Sequence, residues 1–307
     1  MDFIQNLRFK VMRQIMRFIR DQKDLKRKKR LISLFLLFKK KYKYDTSAPS
    51  IFKGHSKEKI LEALEGDGIY NFGKVFSDEE IDRFKATLKG KPMFCADPSE
   101  PPFTEENAPE DANIIYYMAN DYLADDIFIN LHYDPFLMDV MQDFLGCKPV
   151  INEVGLFKSL IKPEVAKKPN QKYHRDASDM RFLALALYFT DVETSEDGPF
   201  SYVLGSAKST DLHKAKVRYS DEEVESIFGK EKVYDVLGKR GTLVIADNSA
   251  FHRGRQPIKN ERLVYFLHVG VTNVKKPGVA ATKIHDADKK ERLAKYSHLM
   301  DNITFDI

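Results

Sequence analysis

Two histidines and an aspartate carry the strongest chemical signal in this 307-residue sequence. His174 and Asp176 stand one residue apart in Tyr173-His174-Arg175-Asp176, and His252 follows far downstream in Phe251-His252-Arg253-Gly254. Two imidazoles and one carboxylate can occupy one face of a metal ion and leave the opposite face open, the usual ligand set of non-haem Fe(II) oxygenases. On an extended strand, residues i and i+2 project to the same side, so the spacing predicts that His174 and Asp176 reach one metal from one strand end. Each part is common by itself, and a lone histidine is more often a hydrogen-bonded polar residue than a ligand. The ordered set is more specific. Gly241 to Asn248 reads as a strand and turn that delivers His252, and ten residues further on Arg262 opens the strand Leu263–Leu267. An arginine entering a barrel interior needs an anion, because an unpaired buried charge is very costly. A dicarboxylic co-substrate would supply one through a two-pronged guanidinium–carboxylate pair.

The surrounding elements must bring these residues together. From about residue 148 the chain is a series of apolar runs separated by Gly, Pro, Asn and Asp. Val150–Leu160, Phe182–Thr190, Ser201–Leu204, Leu243–Ala246 and Leu263–Val271 read as strands, interrupted by a helix from Asp221 to about Phe228. Upstream, helices are expected from Ser56 to about Leu64, from the capping box Ser77-Asp78-Glu79-Glu80 to about Leu88, and from Pro135 to Phe144 before Gly146. Ile69–Phe72 reads as a short strand. Residues 92–112 hold five prolines and many acids, the composition of a long loop that serves as a lid or binding segment. Helices first and short strands later predict an α+β fold whose core is an antiparallel jelly-roll barrel with flanking helices.

The chain is long enough for one elaborated domain with an N-terminal extension, and its 43% hydrophobic content fits a soluble globular protein. Cys95 and Cys147 form no CxxC, which fits a reducing cytoplasm better than a disulfide framework. The net charge of +4 hides an asymmetry. Residues 1–44 carry 15 Lys+Arg against 3 Asp+Glu, and the remainder carries 35 against 43. Ile4, Leu7, Val11, Met12, Ile15, Met16 and Ile19 recur at helical spacing, with Lys10, Arg13, Arg17 and Arg20 on the other face. A basic run, Lys26 to Arg30, precedes an apolar run, Leu31 to Phe38, closed by three lysines. That run is far shorter than the ~20 residues needed to span a bilayer, and no small-residue cleavage site follows it. The expected organisation is a basic amphipathic helical arm over residues 1–48 and a domain over 49–307, with a barrel core at about 148–275. Ser47, Pro49 and Ser50 mark a linker between them. The arm would either lie in an anionic membrane surface or pack on its own domain. Nucleic acid fits less well, because the aromatic residues lie on the apolar stripe rather than among the basic ones.

Over roughly residues 60–272 the sequence resembles the phytanoyl-CoA dioxygenase family of Fe(II)/2-oxoglutarate-dependent oxygenases. The resemblance rests on the opening pattern from Asp67-Gly68-Ile69-Tyr70 to Ile81, on His174-Arg175-Asp176, and on Asp191-Val192 with Gly198-Pro199-Phe200 leading into Leu204-Gly205-Ser206. It ends with Gly241 to Ile245, His252 and Arg262. It implies a double-stranded β-helix of cupin-like type, His174, Asp176 and His252 as iron ligands, and Arg262 as the clamp on the far carboxylate of 2-oxoglutarate, with O₂ as the second co-substrate. The activity it implies is hydroxylation of a C–H bond in a small or lipid-linked substrate, with release of succinate and CO₂. Desaturation, ring closure and epimerisation share the same iron chemistry, and a barrel kept only as a binding scaffold is the reading outside enzymology. Related halogenases lack the carboxylate ligand, so Asp176 favours hydroxylation. One departure is visible: the family pattern Pro-Gly-Ser-His is replaced by Leu204-Gly205-Ser206-Ala207, which touches the substrate-side loop and leaves the metal set intact.

Other residues are candidates for contact with the co-substrate. Tyr188 shares a strand face with Ala184 and Ala186 and could point into the pocket, or be an ordinary core tyrosine. Lys158 and Lys162 sit on or just past a barrel strand. Arg253 and Arg255 rival Arg262 for the carboxylate, but they follow His252 in what reads as a turn. His213 and His268 have no partner at ligand spacing, although His268 shares the alternation of Arg262, Val264 and Phe266.

Overall fold

The computed structural model describes residues 24–95, 101–162, 171–176, 179–209 and 217–272, together with residues 10–12, 14–15, 18–19, 22, 282–283 and 305–306. Helices α1 (Leu25–Leu36), α2 (Lys57–Gly66), α3 (Asp78–Thr87), α4 (Asp126–His132) and α5 (Pro135–Leu145) precede most of the sheet, and α6 (Asp221–Phe228) lies within it. The helix signals act as expected. The Ser56 hydroxyl caps α2, and Ser77 and Glu80 form a reciprocal capping box on α3. Asp134 caps α5 ahead of Pro135, and Gly146 ends it in the left-handed conformation at φ 86°. Such caps satisfy donors and acceptors that a helix end leaves unpaired.

The large sheet has the order β1-β8-β5-β10-β4-β3-β2. Its strands are β1 (Ile69–Lys74), β2 (Met93–Phe94), β3 (Ile114–Tyr117), β4 (Val150–Ser159), β5 (Phe182–Tyr188), β8 (Thr242–Ala246) and β10 (Arg262–Gly270), and every pairing is antiparallel. A second sheet of β7 (Val233–Val236), β6 (Phe200–Val203) and β9 (His252–Gly254) faces it. These are the two layers of the expected jelly-roll core. Burial explains the pattern of each strand. All seven residues of β5 are buried, because helices cover one face and the second sheet covers the other. Along β10, Leu263, Tyr265, Leu267 and Val269 join the helix-side core, while Val264 and Phe266 join Ala186, Phe200 and Tyr202 between the sheets. Arg262 and His268 have the inward parity of Val264 and Phe266.

The N-terminal part contains a helix where the helical arm was expected and departs from the sequence reading at the linker. The basic run and the apolar run are one helix, α1, opened by the Asp24 carboxylate accepting from Lys26 and Arg27 N–H. The 45–55 segment is tied down rather than loose. Ser50 Oγ and Ile51 N donate to the Asp134 carboxylate at 3.0 and 2.9 Å, and Phe52 is buried. Gln142 bonds both backbone groups of Tyr42, and Lys148 N donates to Lys40 O at 2.8 Å. Of the stripe expected on residues 4–19, Ile4, Leu7 and Met16 lie outside the described residues. Val11 and Ile15 are exposed, and Ile19 is buried. Among the described residues no helix is long and apolar enough to cross a membrane, and Cys95 and Cys147 are not joined in a disulfide.

One buried group makes the helix–sheet core sensitive to acid. His132 is 1% exposed, and its Nε2 lies 2.6 Å from the Tyr265 hydroxyl. Burial lowers its pKa from 6.5 to about 3. Below pH ~6.5 the unfolded chain therefore takes up a proton that the folded chain refuses, and stability falls with pH until the folded pKa is reached. At about pH 5 this amounts to ~2 kcal/mol. His132→Gln, which keeps a polar end toward Tyr265, should shrink the stability difference between about pH 7.5 and about pH 5 by that amount in denaturant melts. An unchanged difference would contradict the assignment.

Candidate functional site

The two histidines meet through their backbones. His174 N donates to His252 O at 3.0 Å, and His252 N donates back to His174 O at 2.9 Å, so the two residues form an antiparallel bridge beside β9. Side chains opposed across such a pair share a face, and the two rings lie 4.5 Å apart between centroids. The strand expected through Asp176 stops at His174. Beyond that bridge, Asp176 N donates to Asn248 O at 3.0 Å, in the turn closed by Ala250 N on Asp247 O. The turn rather than strand parity returns the Asp176 carboxylate to the histidines. Its oxygens lie 3.5 Å from His174 Nε2 and 3.4 Å from His252 Nε2. One ligand atom from each of the three residues falls within 4.8 Å of the others.

The donor set suits a divalent transition metal. His174 Nδ1 is 2.8 Å from Lys172 O and His252 Nδ1 is 3.0 Å from Ala250 O. A carbonyl can only accept, so each Nδ1 carries a proton and each Nε2 is the atom turned toward Asp176, the outer-shell arrangement typical of metal-binding histidines. Burial, reinforced by the neighbouring His252, lowers the His174 pKa to about 3, so its ring is neutral near neutrality. Burial disfavours the charged form of Asp176, but His252, His268 and His174 outweigh it and hold the carboxyl well below the usual carboxylate range. Asn248, a residue the sequence offered only as part of a turn, donates from Nδ2 to Asp176 Oδ2 at 3.3 Å.

The triad and Arg262 line one cavity of about 450 Å³. Arg262 is 2% exposed. Its Nη1 donates to Gly198 O and its Nη2 to Ser159 Oγ at 3.3 Å, while its Nε has no partner among the described residues. Among the described residues no carboxylate pairs with it, and burial lowers its pKa. Gly254 gives the guanidinium room, since a Cβ there would lie 2.9 Å from Nη2. The rival arginines are engaged elsewhere. Arg253 forms a two-pronged pair with Asp221 and stacks on Tyr173, and Arg255 donates to Asp235 at 2.7 Å.

The remaining candidates divide. Lys158 does not face this cavity. It pairs in register with outward-facing Leu263, whereas its neighbour Phe157 pairs with inward-facing Val264. Its ammonium is tied to Glu105 and to Glu261, the latter at 2.6 Å, and it borders a separate cavity of about 870 Å³. Tyr188 faces inward as its alternation predicts, but it is a core residue. Its hydroxyl donates to Val236 O at 3.0 Å and accepts from Phe200 N at 2.8 Å, and it does not border the cavity. Lys162 lies past the end of β4 and does not line the cavity either. His213 lies outside the described residues. His268 does line the cavity, with Nε2 3.7 Å from Asp176 Oδ2, as its alternation with Arg262 allowed.

A chain of rings forms the cavity wall. Phe200 lies 5.7 Å from His252 and 5.6 Å from Phe266, which stacks on Phe157 at 5.8 Å. Tyr116 follows at 5.4 Å and Phe94 at 5.7 Å. Phe94 belongs to the segment expected to act as a lid; residues 96–100 of that segment lie outside the described residues. The loop that departs from the family pattern braces the triad from behind. Arg175 donates to Ser206 O and Ser209 O at 2.8 and 2.9 Å, and Phe251 N donates to Ser206 Oγ at 2.8 Å.

Known proteins share this architecture. A search of curated proteins finds no match to the chain. Among solved structures, the epimerase SnoN in complex with Fe3+, alpha ketoglutarate and nogalamycin RO is 15% identical, covering 73% of this chain and 87% of its own, with a TM-score of 0.52. EctD from S. alaskensis with bound Fe is 20% identical, covering 76% and 80%, with a TM-score of 0.49. HygX from Streptomyces hygroscopicus with nickel and 2-oxoglutarate bound is 16% identical, covering 77% and 94%, with a TM-score of 0.47. At these identities the likeness to SnoN speaks for the fold. The family model described as phytanoyl-CoA dioxygenase (PhyH) matches residues 64–257, a span that holds His174, Asp176 and His252 and stops just short of Arg262. The chain belongs to the phytanoyl-CoA dioxygenase (PhyH) family of 2-oxoglutarate-dependent non-haem iron oxygenases.

Proposed function

We propose that His174, Asp176 and His252 hold Fe(II), that Arg262 holds the far carboxylate of 2-oxoglutarate, and that the enzyme hydroxylates a C–H bond of a small or lipid-linked substrate. The observation that carries this reading is the buried Arg262 guanidinium, which shares a cavity with the triad and has no carboxylate partner among the described residues. A bound dicarboxylate would supply the missing anion by the two-pronged geometry that arginine favours. When bound, the iron couples the oxidative decarboxylation of 2-oxoglutarate to the activation of O₂.

The chain's own residues position and exclude. The backbone carbonyls of Lys172 and Ala250 fix the tautomers of the two histidines, and Asn248 steers the Asp176 carboxylate. Ser159 and the Gly198 carbonyl fix the plane of the Arg262 guanidinium. The ring wall from Phe200 to Phe94 keeps water from the reacting centre and favours a substrate that places a ring or hydrocarbon portion there. Retention of Asp176 as the third ligand supports hydroxylation over halogenation. Desaturation, cyclisation and epimerisation use the same constellation and differ in how the substrate lies against it. A substrate presented at an anionic membrane, met through the basic residues 1–44, is the finer form of the proposal.

With Fe(II) and 2-oxoglutarate, a library of acyl thioesters, lipids and lipid-linked sugars should contain a compound that stimulates succinate release, and His174→Ala should abolish that release. A product heavier by one oxygen supports hydroxylation. Loss of two hydrogens, or no mass change, would point to the sister outcomes. Arg262→Met tests the buried charge separately. Without co-substrate its unfolding free energy should be unchanged or raised by up to about 4 kcal/mol, because an uncompensated buried charge is removed. A loss of more than ~3 kcal/mol would mean that Arg262 is there to hold the fold.

A further inference from the structure

We propose that the outer face of α1 and the turn that ends it, where Leu34, Leu37 and Phe38 protrude, dock on an anionic lipid bilayer. The observations behind this are independent of the iron site. Twelve large apolar side chains are exposed among the described residues, and seven of them lie between Val11 and Phe38. Leu37 is 75% exposed and Phe38 is 88% exposed, values expected of a side chain that has no place in its own domain. α1 is not a detached helix that happens to be exposed. Ile32 is buried, Leu31, Phe35 and Leu36 pack against the core, and the Leu36 side chain meets Gly146 at the end of α5. The helix is therefore held by one face and presents the other.

Charge selects the occupant. Residues 25–44 contain nine Lys and Arg and no Asp or Glu. Lys26, Arg27, Lys29, Arg30, Lys40, Lys41 and Lys43 are exposed. Arg30 precedes Leu34 by one helical turn and Lys41 follows Phe38 within three residues, so cations flank the apolar tips on both sides. Upstream, Val11, Ile15 and Phe18 are also helical and exposed, and they recur at i, i+4 and i+7, the spacing of a single stripe. Apolar side chains that protrude a short distance, ringed by cations, match the interface between acyl chains and anionic headgroups. A protein partner would need a surface both apolar and strongly acidic. A nucleic acid would pair with the cations and leave Leu34 and Leu37 in water.

The test is flotation of the full-length protein with vesicles of phosphatidylcholine, with and without phosphatidylserine. The wild type should float with the serine-containing vesicles, lose most of that binding in high salt, and stay with the bottom fraction when the vesicles are neutral. Leu34→Ser/Leu37→Ser/Phe38→Ser should weaken binding about tenfold or more, and Arg30→Glu/Lys41→Glu should weaken it as well. All five positions are exposed, so the thermal transition and Fe(II) binding should match the wild type, which separates this result from any failure of the iron site. Absence of flotation, or a triple variant that floats like the wild type, would overturn the proposal. So would a wild-type dimer that the triple variant turns into a monomer, which would assign the face to a second copy of the chain, or binding to RNA in place of vesicles.

Discussion

The site depends on two backbone hydrogen bonds, exchanged between His174 and His252 at 3.0 and 2.9 Å. They join segments 78 residues apart in sequence and fix which faces of the two residues meet. Once that bridge exists, both imidazoles lie on one side, each with its Nδ1 turned to a carbonyl two residues earlier in its own segment. The turn around Asn248 then carries Asp176 back to them. Three ligand groups converge without any one strand having to supply all of them. The bridge also extends the second sheet past β9, so the end of the molecule that carries the triad and the edge of the sandwich are built together.

The second constraint is electrostatic. Taking a guanidinium out of water is expensive unless an anion or several acceptors meet it. Arg253 and Arg255 find Asp221 and Asp235 within the protein, whereas Arg262 has a carbonyl, a hydroxyl and the cavity. That contrast separates arginines that hold the fold together from one whose counter-ion is expected from outside. The inner face of β10 sets its position, with Arg262, Val264, Phe266 and His268 running along one side of the strand.

How much of this the sequence revealed follows the range of the signal. Capping residues, the apolar runs of β5 and β10, and the HxD and His–Arg spacings are local, and the elements form close to where they read. Lys158 was unreadable because β4 carries polar and apolar residues on both faces. Only its register against β10, Lys158 opposite Leu263 and Phe157 opposite Val264, decides which way it points. The ring wall was hidden for a similar reason: Phe94, Tyr116, Phe157, Phe200 and Phe266 come from five strands, and no spacing links them. Asp176 reached its expected neighbours by an unexpected route, through a turn instead of strand parity. α1 read as two charge-and-apolar blocks and became one helix because Asp24 caps it and Ile32 and Leu36 pack beneath it.

On the proposed reading one cavity holds both a metal at the triad and a dicarboxylate at Arg262. The most direct measurement is an anaerobic titration of the protein with 2-oxoglutarate, followed by visible absorption and calorimetry, with and without Fe(II), for the wild type and Arg262→Met. The wild type should bind 2-oxoglutarate tightly only when Fe(II) is present, and Arg262→Met should keep Fe(II) but bind 2-oxoglutarate on the order of 10²-fold more weakly, as expected for loss of a buried two-pronged ion pair. Equal affinity in the two proteins, or a wild type that binds no Fe(II), would contradict it.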